Sequence, residues 1–391
     1  MQRPHRVFLA ALFGLGLSAV AIQTTVAEPY VQTDLVSDIS GLAKLTEPTL
    51  VNPWGISHSA TSPFWISNQG TSLTNLWSVT GQTNVTKVTA VNPPTGNIAI
   101  PTFGGGPAQG PTGQVNSTSM SAFPVSGGDG NPAHFIFANL NGTISAWDTG
   151  PTAFIQVTPL AGVPTNYSGL AINQGQTQLY AANQAGAGGI DVFNSMFGRV
   201  MTPAAFTTPA AVAALGLVPF NVRDIGGKVY VEYAPSGLAN QRNAALGQGA
   251  VVVFNEDGTS PQILILGSHL AAPWGIALAP AGFGTFGGDL LVGNFSFLNS
   301  EIDAYNPMTG AFLGTIPIDP GSGNTPGGLW ALDFGIGGSN GDPNTLYITD
   351  GIDGETHGLF AAIAPVPEPS TLALLGFGIL SLCALRFRPL R

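Results

Sequence analysis

The chain has almost no cysteine and little charge. Its single cysteine, Cys383, lies in an apolar run near the C-terminus of the 391-residue sequence. Structural disulfides, cysteine-based zinc sites and a cysteine nucleophile are therefore excluded from the rest of the chain. Only 8% of the residues are Asp, Glu, Lys or Arg, so packing and hydrogen bonds must hold the fold together.

Basic residues are especially scarce. Five of the 11 Lys and Arg residues and one of the 21 acidic residues lie in the two end segments, which leaves a formal charge of −14 on residues 28–365. Such a surface repels phosphate backbones and anionic lipid, so we expect no nucleic-acid partner.

Long helical periodicity is also nearly absent, and so are the motifs of the common enzyme classes. A single Ala- and Leu-rich stretch at 209–217 predicts one helical loop. The sequence contains 53 glycines and 31 prolines, with many short apolar runs between them. This pattern is typical of short strands joined by tight turns and predicts an all-β fold. No Gly-x-Ser-x-Gly elbow, phosphate-binding loop or dinucleotide fingerprint occurs with its strand-helix context.

The N-terminal segment has the pattern of an export signal. Arg3 and Arg6 precede an apolar run at 7–22, and small residues offer a cleavage site after Ala21 or Ala27. We therefore predict a signal peptide over residues 1–27, which would be removed from the mature protein.

The C-terminal segment has three parts, at 366–391. The first is a rigid spacer that consists of Val366, Pro367, Glu368, Pro369 and Ser370. An uncharged apolar segment follows at 371–385 and is predicted to enter the inner membrane transiently as a helix. The last part is a basic tail with Arg386, Arg388 and Arg391, which favours a cytoplasmic C-terminus.

This arrangement closely resembles the PEP-CTERM sorting signal of Gram-negative bacteria, which a membrane-bound exosortase recognises and processes. The resemblance implies an exosortase-like partner and export to the cell envelope, the cell surface or the extracellular matrix. Residues 28–365 are then the mature domain.

The mature domain repeats itself. A Pro-Trp-Gly motif occurs at 53–55 and again at 273–275, and each copy precedes a strand pattern that ends in Asn. Related strand ends occur at 68, 139, 183, 233, 294 and 350, about 56 residues apart on average, and a repeat of this length built from several strands indicates a β-propeller.

Six repeat units predict six blades. Seven blades is the alternative, because the interval from 68 to 139 is long enough to contain one more. The last unit lacks a fourth strand, whereas the pattern at 31–36 belongs to no unit. We therefore expect this N-terminal strand to complete the last blade and close the ring.

The repeated strand ends also predict a possible metal site. Their positions carry amide or carboxylate oxygens in five blades, at Asn68, Asn139, Asn183, Asn294 and Asp350. If these side chains converge at one mouth of the channel, they suit Ca²⁺. The alternative is that Asn and Asp end strands because they accept turn geometry.

Other candidates are more local. Asp353 and Glu355 follow Asp350 in the most acidic segment and add two further possible Ca²⁺ ligands, or they belong to an ordinary solvated turn. Arg223 and Asp224 predict an ion pair that lines the channel or serves a local structural purpose. The tryptophans that begin repeats at 54, 274 and 330 are expected to pack between blades, or to stack on sugar rings if they are exposed.

The mature domain further resembles an uncharacterised family of exported bacterial propellers, through Asn-Pro-Trp-Gly at 52–55, Phe-Trp-Ile-Ser-Asn at 64–68 and Glu-Thr-His-Gly-Leu-Phe at 355–360. More distantly, the repeat is similar to NHL and gluconolactonase-like six-bladed propellers. We expect a surface or matrix protein that binds polysaccharide or surface proteins without catalysis. The alternative is a Ca²⁺-dependent hydrolase, lactonase or lyase with its site at the channel mouth.

Overall fold

A computed structural model describes residues 30–89, 95–104, 109–201 and 205–366. They form a six-bladed β-propeller, which confirms the predicted fold class. The predicted signal peptide at 1–27 and the sorting segment beyond Val366 lie outside the described residues.

Each blade is built on four antiparallel strands, the first of which lines the axis, and blades 1 and 6 each carry one additional strand. The described chain begins with β1 (Tyr30–Ser37) and β2 (Leu45–Thr46), which belong to the last blade. Blade 1 contains β3 (Pro53–Ser57), β4 (Phe64–Asn68), β5 (Leu73–Thr80) and β6 (Asn84–Lys87), with β7 (Asn97–Ala99) also paired to β5. Blade 2 contains β8 (Gln114–Asn116), β9 (Phe135–Ala138), β10 (Ile144–Trp147) and β11 (Phe154–Val157).

Blades 3 to 6 follow the same order. Blade 3 contains β12 (Tyr167–Ile172), β13 (Gln178–Asn183), β14 (Gly189–Asn194) and β15 (Arg199–Val200). Blade 4 contains β16 (Leu217–Ile225), β17 (Lys228–Pro235), β18 (Ala250–Asn255) and β19 (Gln262–Leu266). Blade 5 contains β20 (Pro273–Leu278), β21 (Leu290–Asn294), β22 (Glu301–Tyr305) and β23 (Phe312–Pro317). Blade 6 contains β24 (Leu329–Phe334), β25 (Leu346–Asp350) and β26 (Leu359–Pro365).

The helices of the described chain are short and lie in connections. They are α1 (Ala210–Ala213), α2 (Leu238–Arg242) and α3 (Ile352–Glu355), with 3₁₀ turns at Gln69–Thr71 and Gly284–Phe286. The predicted helical loop at 209–217 is thus a single turn that leads into β16. No helix in the described part of the chain is both long and apolar enough to cross a membrane.

The N-terminal strand closes the ring as predicted. β1 pairs antiparallel with β26, from Tyr30 opposite Pro365 to Ser37 opposite Leu359. It supplies the fourth strand of blade 6. The long interval between 68 and 139 contains β5 and β6 of blade 1, the additional strand β7, and β8 and β9 of blade 2, so its described residues do not form a seventh blade.

We call the face where the innermost strands begin the upper face, and the face where they end the lower face. In blades 1, 3, 4, 5 and 6 the pairing register shifts near the start of the innermost strand. A bulge of this kind changes the direction in which one side chain points. The residues at the shift include Trp54, Ser168, Phe220, Trp274 and Trp330.

Three of these residues meet across the axis. The rings of Trp54 and Trp330 stack with centroids 3.4 Å apart, and Trp274 meets both edge-on at 6.0 and 5.5 Å. All three indoles are buried. The tryptophans thus pack mainly against one another at the centre of the ring, and we call them the tryptophan plug.

A glycine directly after the axial tryptophan lets the innermost strands of neighbouring blades come into close contact. A Cβ on Gly275 would lie 2.3 Å from the Trp330 carbonyl oxygen, and one on Gly55 would lie 2.6 Å from that of Thr112. Blade 4 carries Asn221 there instead, and its amide donates to the Trp274 carbonyl at 2.6 Å. The Pro-Trp-Gly motif therefore encodes both the plug and the close contact between blades.

We expect Trp330→Ala to destabilise the protein by about 3–5 kcal/mol, since it empties the centre of the plug. Trp330→Phe should cost less, because it keeps a ring and mainly loses the 2.9 Å hydrogen bond from Trp330 Nε1 to Asn52 Oδ1. Urea unfolding measures both, with Trp147→Ala on the outer part of blade 2 as the control. If Trp330→Ala costs no more than Trp147→Ala, the plug has no special role.

Candidate functional site

The tryptophan plug stands between two chambers on the axis. The lower chamber has a volume of about 540 Å³ and is lined by the innermost strands of all six blades, with Trp274 in its wall. The upper chamber has a volume of about 400 Å³ and is lined mainly by loops of the upper face, with Trp54 in its wall. A ligand entering from one face thus meets indole rings at the axis.

A charged cluster spans one side of the lower chamber. Arg223 donates through Nη2 to Asp333 Oδ1 at 2.6 Å, and its Nη1 donates to the carbonyls of Leu332 and Ile276 at 2.7 and 3.2 Å. His58 Nε2 lies 3.5 Å from the other oxygen of Asp333. These contacts join blades 1, 4, 5 and 6, so the cluster links four of the six blades across the channel.

The ion pair expected between Arg223 and Asp224 is not the one that forms. Arg223 pairs with Asp333, 110 residues away, and Asp224 accepts from Gln174 Nε2 at 2.6 Å. Side chains of neighbouring residues on a strand point to opposite faces, so a direct pair was geometrically unfavourable.

The upper chamber is built around a second ion pair, in which Glu355 is buried and Arg242 is partly exposed. Arg242, at the end of α2, donates to Glu355 Oε2 through Nε at 2.7 Å and Nη2 at 2.5 Å. Asn52 Nδ2 donates to Glu355 Oε1 at 3.2 Å, and Asn52 Oδ1 accepts from the Trp330 indole. Burial raises the pKa of Glu355, whereas Arg242 and Asn52 oppose that rise. The pair therefore connects directly to the tryptophan plug.

Amide side chains complete the wall. Gln241 Nε2 donates to Gln184 Oε1 at 2.7 Å, and Gln184 Nε2 donates to Asn166 Oδ1 at 3.2 Å. Gln69 Oε1 accepts from Asn52 at 3.0 Å. Every one of these groups can both donate and accept hydrogen bonds, as a polyhydroxylated ligand requires.

Backbone strain occurs at this chamber, as it does at several other turns of the described chain. Asn52, Asp353 and Glu355 have φ angles of 46°, 53° and 67°, in the left-handed region that side-chain-bearing residues rarely occupy. Asn tolerates this region, but Glu does not favour it. Such strain costs about 1–3 kcal/mol for a residue and clusters at functional sites.

The repeated strand-end residues lie elsewhere, inside their own blades. Asn68 Nδ2 donates to Asn75 Oδ1 at 2.5 Å, Asn183 Nδ2 to Asp191 Oδ2 at 3.3 Å, and Asn294 Nδ2 to Asp303 Oδ2 at 3.0 Å. In blade 2, Asn139 Nδ2 contacts the Thr143 carbonyl and Ser145 Oγ. Each amide thus ties the second strand of its blade to the third.

Asp350 is the exception within this set. It is fully buried, and neither of its carboxylate oxygens has a hydrogen-bond partner among the described residues. The equivalent third-strand position in blade 6 is Ala361, which cannot donate a side-chain hydrogen bond. Blade 4 departs in another way, with Tyr233 at the strand end.

The geometry separates the predicted Ca²⁺ ligands. Only Glu355 lines the upper chamber; Asp353 accepts from Thr325 N and Oγ1 at 2.7 and 3.0 Å. Within the described ranges, no group of three or more His, Cys, Asp and Glu side chains is placed to hold a metal ion. Ca²⁺ binding at these positions stays a prediction.

Comparison with known proteins identifies the C-terminal segment. Residues 365–388 match the PEP-CTERM protein-sorting motif, which indicates exosortase-dependent export to the envelope or surface of a Gram-negative cell. The predicted sorting signal is confirmed, although Pro367 to Ser370 and the arginine tail lie outside the described residues.

The propeller itself has remote relatives. Uncharacterized protein R648 of Acanthamoeba polyphaga mimivirus is 26% identical over 336 residues, which cover 84% of this chain and 78% of that protein. A structural-genomics protein of unknown function from Bacteroides thetaiotaomicron VPI-5482 aligns with a TM-score of 0.50 at 10% identity, over 86% of this chain and 76% of that one. A gluconolactonase from Xanthomonas campestris aligns with a TM-score of 0.37 at 16% identity, over 59% and 82% of the two chains. These likenesses concern the fold alone.

The buried carboxyl of Asp350 predicts a pH effect on stability. Burial, with a smaller effect of the Asp34 carboxylate, raises the pKa of Asp350 to about 8, whereas an unfolded Asp titrates near 3.9. Between these values the folded state keeps a proton that the unfolded state loses, so stability falls as pH rises from about 4 to 8.

Asp350→Asn should remove this dependence, because an amide side chain does not ionise. Asn should fit at this position, since it occupies the same place in four other blades. We expect the melting temperature of the variant to exceed that of the wild type by a margin that grows between pH 5 and pH 8. Calorimetry across this range measures the difference. A margin that is constant with pH would mean that Asp350 is ionised in the folded protein.

Proposed function

We propose that the protein is an exported surface protein that binds carbohydrate in its upper chamber without catalysis. The observation that carries this proposal is the strained, hydrogen-bonded group of Asn52, Glu355 and Arg242 at a loop-lined chamber on the axis. A glycine at 355 would avoid the strain there, whereas the left-handed φ of Asn52 recurs at Ala272 before the second Pro-Trp-Gly motif. The strained backbone holds a carboxylate and an amide in fixed positions inside the chamber.

The chemistry of the wall suits sugars. A volume of about 400 Å³ falls within the usual range of small-molecule sites. Sugars combine hydroxyl groups with an apolar ring face, and the chamber offers amides together with apolar side chains such as Leu140 and Leu238. The carboxylate of Glu355 accepts hydrogen bonds from hydroxyls, and the guanidinium of Arg242 donates to them.

Export of the protein determines which ligands the upper chamber can meet. We propose that residues 1–27 are removed as a signal peptide and that 28–365 form the mature domain. An acidic domain with few basic residues does not adhere to nucleic acid released into the matrix, so extracellular polysaccharide is the partner that the upper chamber favours.

Binding is testable with a matched pair of variants. A glycan array followed by calorimetry should identify a neutral or amino sugar ligand for the purified protein. Glu355→Gln should weaken its binding at least tenfold, since it removes the charge that positions Arg242. The control is Glu47→Gln, which breaks a similarly buried ion pair with Lys87 in blade 1, away from the chamber.

Two results would oppose carbohydrate binding in this chamber. One is a protein that binds no glycan on the array. The other is a ligand whose affinity falls equally in Glu355→Gln and Glu47→Gln, since that would place its site elsewhere or reflect a general loss of stability.

A Ca²⁺-dependent enzyme is the second candidate, and the unpartnered carboxylate of Asp350 favours it. A buried carboxyl group with no hydrogen-bond partner must hold either a proton or a cation. The hydrolase or lyase alternative requires the cation.

Melting the protein in excess Ca²⁺ and in EDTA separates these states. A bound ion at 100 times its Kd adds about 2.7 kcal/mol of stability, and Asp350→Asn should abolish the shift if Asp350 is a ligand. We expect no shift for the non-catalytic protein. A shift that Asp350→Asn removes would instead support the metal-dependent alternative.

A further inference from the structure

The described chain enters and leaves the propeller at the lower face. β26 runs from the upper face at Leu359 to the lower face at Pro365, and β1 begins opposite it at Tyr30. Since the sorting motif occupies 365–388, it starts at the edge of the folded domain. The upper chamber opens on the opposite face.

The end of β26 is held firmly. Tyr30 pairs with Pro365, and the Tyr30 hydroxyl donates to the Phe283 carbonyl at 2.8 Å while it accepts from Phe286 N at 2.9 Å. The ring of Tyr30 stacks on Phe286 with centroids 5.7 Å apart. We call Tyr30, Phe283, Phe286 and Pro365 the exit clamp. It fixes the last strand of the domain up to the residue at which the sorting motif begins.

The distance from the exit clamp to the membrane is short. Five residues, 366–370, separate Pro365 from the apolar segment that begins at Thr371. A fully extended chain covers about 3.3–3.6 Å per residue, so these residues span at most about 18 Å. A membrane enzyme that processes the Pro-Glu-Pro motif must work within this gap.

We propose that the lower face around the exit clamp is a docking surface for the membrane-embedded processing enzyme. The fixed end of β26 and the short spacer bring the two proteins into contact whenever the motif is bound. Exposed apolar side chains are available on this face, including Val31 beside the clamp (53% exposed) and Met308 at the lower tip of blade 5 (80% exposed).

This docking has a consequence for the upper chamber. Any attachment made through the cleaved C-terminus holds the lower face toward the surface, so the upper chamber points outward. The docking itself follows from the sorting motif and the chain geometry, and it is independent of what the upper chamber binds.

Photocrosslinking in the native host tests the docking directly. A photoreactive amino acid replaces Met308 at the lower tip of blade 5 in the full-length chain, and a matched chain carries it at Leu298, which is 63% exposed on the upper side of the same blade. A catalytically inactive processing enzyme keeps the complex bound. We expect the enzyme to be captured from position 308 at least fivefold more than from position 298.

A second chain supplies the mechanistic control. Twenty Gly and Ser residues inserted between Pro365 and Val366 should reduce capture at position 308 to the level at 298, while the active enzyme still processes the motif. Equal capture at the two positions in the chain of native length would overturn the proposal. So would capture at 308 that the insertion leaves unchanged, since contact would then not depend on the short spacer.

Discussion

The stacked indoles at the centre of the ring are the contact on which the rest of the structure depends. Trp54 belongs to the first blade, and Trp274 and Trp330 belong to the last two, so the plug spans the junction where the ring closes. Thr349 of blade 6 donates to the Trp54 carbonyl at 2.5 Å beside the same junction. Burial of large aromatic surfaces is the strongest stabilising effect available to a chain with no disulfides and few charges.

The plug also determines where a ligand can bind. Because it divides the axis, the lower chamber is bounded by the innermost strands and the upper chamber mainly by loops of the upper face. The lower chamber is crossed by Arg223 and Asp333, whose charges are satisfied by one another and by backbone carbonyls. The upper chamber holds Glu355 and Arg242 on loops whose backbone is strained, and its floor is the plug itself. In our proposals, the upper face carries the ligand site and the lower face meets the processing enzyme.

Much of this fold follows from the sequence. The Pro-Trp-Gly repeat and the regular strand ends predict six blades, and an unassigned strand at 31–36 predicts how the ring closes. The repeat does not reveal which way the repeated side chains point. The sequence leaves open whether the tryptophans and the strand-end asparagines face the channel or pack within the blades. In the structure, a bulge turns the first group to the axis, and third-strand partners such as Asn75, Asp191 and Asp303 hold the second group inside the blades.

The candidate site was predictable only in part. Glu355 stands out within an acidic segment, and Asn52 precedes a repeated motif. Arg242 carries no local signal, because its partner lies 113 residues away along the chain. The acidic residues allow either a Ca²⁺ site or a solvated turn, and the left-handed backbone at Asp353 and Glu355 sends their side chains to different partners. Long-range pairing of this kind depends on the closed ring and cannot be read from neighbouring residues.

The central claim is that Trp54 and Trp330 act as one unit that joins the first blade to the last. A double-mutant cycle measures this directly, through the unfolding free energies of Trp54→Ala, Trp330→Ala and the double variant. We predict a coupling of at least about 1 kcal/mol, as expected for a buried aromatic pair in contact. Additive effects of the two substitutions would contradict the account, because they would show that the two indoles stabilise their blades independently.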